Sequence, residues 1–169
     1  MRDARLDAAF VADVQDAVRA TAAAVTTRHP GETLAGYALL TDDDLGTLGH
    51  LAVTREALRA DPETLFTPTD WPYDDGGEAF DGPNEALGAL AAGLELGDHV
   101  DAAFALLVRA LKDLRDDGVF ALDVYLAVIS TDPSEHLEAL AEAAFAELNS
   151  ADLTRARHEW LDLWAEGQG

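Results

Sequence analysis

The sequence predicts an α+β fold: a small, mainly antiparallel sheet of about three strands packed with five to six helices in a single domain, residues 1–169. Three observations predict it. Segments with helical apolar spacing outnumber β-like runs. The expected order, α-β-β-α-loop-α-α-β-α-α, holds too few alternating βα units for a doubly wound sheet. One long run, residues 118–129, sets Phe120, Leu122, Val124, Leu126 and Val128 at alternate positions, as in a strand with one deeply buried face. That run is expected to be the middle strand, with a hairpin from residues 33–53 beside it.

The elements follow in order. Residues 3–28 place Phe10, Val14, Val18 and Val25 on one side with no internal glycine or proline, which is a long amphipathic helix. His29-Pro30-Gly31 stops it. Residues 33–41 and 47–53 read as strands joined through Asp42-Asp43-Asp44-Leu45-Gly46, a hairpin turn. Thr54 is placed to cap a short helix that Asp61-Pro62 ends. Residues 62–83 hold four of the six prolines and form the irregular part of the chain. Helical spacing returns from Asn84, with Leu87, Leu90 and Leu94 on one side, and again over 99–115, with Phe104, Leu107, Val108, Leu111 and Leu114. After the long strand, Asp132 reads as the N-cap of a helix with Pro133 in its first turn. A last helix, 152–165, carries Leu153, Trp160, Leu161 and Trp164, and the i, i+4 tryptophans are expected in the core.

Composition narrows function. The chain has no cysteine, so no disulfide framework or thiolate metal site is available. Its 33 acidic residues face 11 basic ones, Lys112 being the only lysine, for a net charge of −22. Such a field repels nucleic acid and anionic lipid and speeds association with a basic partner. The first ten residues lack an apolar signal region and no 18-residue apolar run follows, so a cytoplasmic location is expected.

Motifs for catalysis are sparse. Asp42, Asp43 and Asp44 before Gly46 invite a calcium reading, but the spacing is not that of an EF-hand loop, and a solvated hairpin tip accounts for them. The five histidines stand singly, without the spacing of a zinc site, and are expected at caps, turns and surface positions. No nucleophile elbow or phosphate-cradling glycine loop occurs. Asp123, the one charge in the long strand, is expected to pair with an arginine or a tyrosine hydroxyl or to face solvent; a general base is the alternative. Trp71 and Tyr73 lie beside Asp70, Asp74 and Asp75 in the proline-rich loop, where they either pin the loop or form a protein-binding patch.

Thr41-Asp42-Asp43-Asp44 after a first strand, 68–73 (PTDWPY), Gly118-Val119-Phe120 and Leu148-Asn149 together resemble the bacterial family known as domain of unknown function 4303. The resemblance implies a small cytosolic α+β protein without an assigned activity, similar in style to acidic immunity proteins encoded beside bacterial toxins. The function expected is therefore a non-catalytic protein-binding module, an immunity-type inhibitor of a basic toxin domain, with no cofactor. Its contact residues would be Asp70, Trp71, Tyr73, Asp74 and Asp75 with Asp42, Asp43 and Asp44. The alternatives are a metal-dependent or Asp-based hydrolase using Asp123 and a histidine, and an acidic protein adapted to high salt.

Overall fold

The structure is a computed structural model that describes residues 4–91 and 95–167. Among the described residues, five α-helices surround a three-stranded sheet: α1 (Ala4–Arg28), α2 (Asp81–Ala91), α3 (Leu96–Asp116), α4 (Glu135–Leu148) and α5 (Ala151–Gly167), with β1 (Leu34–Thr41), β2 (Leu48–Thr54) and β3 (Tyr125–Ser130). The α+β class and the early hairpin are as the sequence predicts. Gly93 and Leu94 lie outside the described residues.

The sheet order is β2-β1-β3, with β2 antiparallel and β3 parallel to β1, so the sheet is mixed. The hairpin strand β1, not the run at 118–129, occupies the centre. Alternation along the strands fills both faces. Tyr37, Leu39, Ala52, Leu126 and Val128 point into the larger core with Val14 and Val18 of α1 and Leu107 and Leu111 of α3. Ala35, Ala38, Val53, Tyr125 and Ala127 form the opposite face, which Trp71 and Phe145 cover. Four short 3-10 turns (Ala57–Arg59, Pro62–Phe66, Pro68–Asp70, Gly77–Phe80) replace any long helix between β2 and α2. Pro62 and Pro68 open the second and third turns, and the prolines that follow each of them, Pro68 and Pro72, keep them from extending.

The long run splits for a local reason. Gly118 takes the left-handed conformation at φ +77°, and the Val119 N–H donates to Leu114 O at 2.9 Å, closing α3 in the manner of a Schellman end. Arg115 of α3 then donates to the carbonyls of Ala121 and Val124, which a strand would have offered to a neighbour. Residues 118–124 therefore form a tight corner, with Leu122 71% exposed, and only Tyr125–Ser130 pairs.

Two further positions differ from expectation. Ser134, not Asp132, caps α4: its Oγ accepts the Leu137 N–H at 3.3 Å. Trp160 and Trp164 are not core residues. α5 lies on the surface with only its inner side against the protein, so Trp160 rests on Phe66 at 5.7 Å between ring centres while Trp164 is 57% exposed.

Both edges of the sheet are closed by asparagine side chains. On β2, the Asn84 amide accepts the Leu48 N–H and donates to Leu48 O, and Tyr73 exchanges two backbone bonds with Ala52. On β3, Asn149 accepts the Leu126 N–H at 2.8 Å and donates to Leu126 O at 2.7 Å. A primary amide presents one donor and one acceptor, the pair a strand residue offers at its edge. Each asparagine thus replaces one residue of a fourth strand and blocks edge-to-edge pairing.

Candidate functional site

The acidic loop residues sit where the sequence reading placed them, but they do different work. Trp71 is buried at 3% exposure, its Nε1–H donating to Thr64 O at 2.8 Å and its ring edge-on to Tyr125. Gly36 makes room for it: a Cβ at that position would come within 2.5 Å of the indole. The indole pins the loop to the sheet and presents no face to a partner. Tyr73 is half-buried, packs at a tilt against His29 and donates its hydroxyl to Glu32, which also accepts from Thr54. Asp75 accepts from Arg28 at 2.6 Å and takes His29 at 3.2 Å; burial opposes its ionisation, yet these two partners hold its carboxyl below the usual range.

At the hairpin tip, Asp42 builds the turn, accepting the Gly46 N–H at 2.6 Å and the Thr47 hydroxyl at 2.8 Å. Leu45 there takes a positive φ of 50°, and its fully buried side chain holds it in that conformation. Asp43 and Asp44, with Asp70 and Asp74, are exposed and have no ion pair or side-chain hydrogen bond among the described residues. These four carry free negative charge.

Contacts along the outer edge of β2 join the tip to the rest. His99 of α3 donates from Nε2 to Leu45 O, Asn84 of α2 holds Leu48, and Tyr73 holds Ala52. The segment so attached has a property that the net charge alone does not display. Residues 60–98 contain no lysine, arginine or histidine but ten acidic residues, among them Asp81 and Glu85 on α2. A count of positive charge along the chain would have found it. Among the described residues, Arg19, Arg28, Arg55, Arg59, Arg109, Lys112, Arg155 and Arg157 lie in ion pairs, and Arg115 binds backbone carbonyls. Apart from Asp75, held by Arg28 and His29, the described carboxylates of this segment have no cationic partner, and with the hairpin tip they leave negative charge along the β2 edge.

The positions considered for catalysis are arranged otherwise. The Asp123 side chain is 65% exposed and pairs with Arg55 at 2.5 Å, so it stands open to water. Among the described residues no three histidine, aspartate or glutamate side chains gather as a metal-holding group. His136 and His158 pair with Asp101 and Glu142, but His50 and His99 are buried at 4%, against the expectation that histidines sit at caps, turns and the surface. His50 occupies an inward position of β2 between the rings of Tyr37 and Phe80, and neither of its ring nitrogens has a hydrogen-bond partner. Burial lowers its pKa, against the pull of Asp74 and Asp75.

The family model described as a domain of unknown function (DUF4303) matches residues 14–150. The chain belongs to this family. The DUF4303 match runs from the middle of α1 through Asn149 and stops before α5, so both edge-closing asparagines lie within it and the tryptophans of α5 lie outside. No curated protein and no solved structure matches the chain. No helix among the described residues is long and apolar enough to cross a membrane.

Proposed function

We propose that this DUF4303 protein is a non-catalytic binding module whose acidic β2 edge caps a basic protein partner, in the manner of an immunity-type inhibitor. The observation that carries the reading is the 39-residue segment 60–98, free of positive charge and fastened along β2 to the equally acidic hairpin tip. The contact residues are Asp43, Asp44, Asp70 and Asp74, with Asp81 and Glu85 continuing the surface. Trp71, Tyr73, Asp42 and Asp75 support it from beneath by fixing the loop and the turn. Such a surface steers a cationic partner and gives a salt-sensitive on-rate.

Co-expression with the product of the adjacent gene tests the proposal. The expected result is a complex that protects cells from that product and associates about tenfold or more slower between low salt and 0.15 M salt. Replacing Asp43, Asp44 and Asp74 together by lysine should abolish protection without unfolding the chain. A protein that forms no complex and gives no protection would sink the idea.

A further inference from the structure

We propose that a groove between β3 and α4 is a binding site for a small organic cation, a primary ammonium carried on a short apolar body. Two adjoining hollows make the groove, and Val128, Ile129, Glu138 and Ala141 line both. It flanks β3, at the edge of the sheet opposite β2, so it stands independently of the acidic surface described above.

The first hollow, about 190 Å³, opens at the carboxyl ends of the parallel strands β1 and β3, where Thr41 and Ser130 are paired. Ligands of open sheets commonly bind outside the carboxyl ends of parallel strands. Its walls are apolar, chiefly Phe104, Ile129, Pro133, Leu137 and Ala141. Thr41, Thr69, Ser130 and Glu138 interrupt them. Thr41 is 3% exposed, and its hydroxyl oxygen is shut off from solvent without a hydrogen-bond partner, a state that costs stability unless something meets it.

The second hollow, about 270 Å³, is lined by both signs of charge, Arg157 with Glu138 and Glu142. Arg157 reaches Glu142 at 2.6 Å and lies over the Phe145 ring at 4.6 Å. Burial pushes the Tyr125 phenol up to about 12, so it stays neutral. Glu138, on the wall between the hollows, is exposed and has no ion pair or side-chain hydrogen bond among the described residues. The groove therefore offers a largely apolar recess, with the buried Thr41 among its lining residues, and a carboxylate without an ion pair at Glu138. An anion is repelled and a neutral molecule leaves Glu138 unused. A cation with an apolar body uses both the recess and the carboxylate. The hollows fall below the roughly 300–1,000 Å³ of drug-sized sites, which limits the occupant to a fragment of about one ring or one short chain.

Titrating the full chain with phenethylamine, phenethyl alcohol and phenylacetate, followed by amide shifts in ¹H–¹⁵N NMR spectra, tests the proposal. The amine should saturate with shifts centred on Thr41, Ile129, Glu138 and Ala141, the alcohol should bind about three- to fivefold more weakly, and the acid should not bind. Glu138→Gln should reduce amine affinity by about the same factor and leave the alcohol unchanged. Its exposed position keeps the fold intact, and circular dichroism checks this. Thr41→Val, of similar shape, should erase any preference for tyramine over phenethylamine. Equal binding of the three probes, insensitivity of the amine to Glu138→Gln, or shifts confined to the acidic β2 edge would each overturn the assignment.

Discussion

Asn149 carries more of the fold than its size suggests. Its side chain satisfies Leu126 N–H, Leu126 O and Phe145 O at once, and all three bonds are buried. Asn149→Ala leaves a strand N–H and C=O without partners, and each such orphan costs about 1–3 kcal/mol. Denaturant unfolding should show a loss of about 2–4 kcal/mol, and Asn149→Asp should be no better because it lacks the donor. Gly36 acts by absence. Gly36→Ala drives a methyl into the Trp71 ring, so it should cost about 1–3 kcal/mol and shift tryptophan emission to the red as the indole is displaced. His50 acts through charge. Its pKa is lowered in the fold, so the unfolded chain binds its proton first as pH falls below about 6.5, and stability present above that pH is lost as the pH drops. The slope contributed is at most about 1.4 kcal/mol per pH unit. His50→Phe, which keeps the stacking on Tyr37 and Phe80, should flatten the stability profile below about pH 6.5; an unchanged profile would place its origin elsewhere.

At the scale of elements, periodicity located α1, the hairpin, α3 and α4, because each buries a stripe or a face whose spacing is written in the sequence. It failed at 118–129, where five alternating apolar residues imitate a strand. The left-handed Gly118 and the carbonyl bonds from Arg115 consume the first half of that run, and neither is a pattern of hydrophobicity. The role of Trp71 was hidden for a related reason: burial of an indole in a proline-rich loop depends on the missing side chain at Gly36, a contact across 35 positions of sequence. The tryptophans of α5 misled in the opposite direction. Helical spacing of aromatics indicates a side that can be buried, but not whether anything covers it. Trp160 meets Phe66, Arg157 meets Glu142, and Leu163 and Trp164 meet solvent. Because the family match ends before α5, removal of residues 151–169 should leave a cooperative fold that is less stable by about 2–3 kcal/mol, the burial of one large aromatic contact. Loss of cooperative unfolding in that truncation would show α5 to be integral to the core.

At the scale of the whole molecule, charge is the property the sequence displays most openly and the one whose arrangement it displays least. The net −22 is read by counting, whereas the attachment of segment 60–98 to the hairpin tip depends on Asn84, His99 and Tyr73, none of them charged groups of the surface itself. An excess of this size stresses the compact state by self-repulsion. Salt acts on two opposed terms. It weakens the ion pairs, most of which are exposed and contribute about 0–1 kcal/mol each, and it relieves repulsion among the carboxylates that have no partner. Relief wins here because unpaired acids outnumber free cations. Raising ionic strength from about 0.01 to 0.15 M shortens the screening length from about 30 to 8 Å, and the melting temperature should climb by about 2–4 °C, a gain of about 1 kcal/mol. Little should follow beyond that concentration, since neighbouring surface charges are by then already screened. Association with a basic partner should move the other way, slowing over the same range. Thermal unfolding and association kinetics measured across one salt series therefore separate two meanings of the charge. Stability that levels off while association slows identifies the carboxylates as a binding surface, and stability that continues to rise steeply into molar salt identifies them as an adaptation to brine.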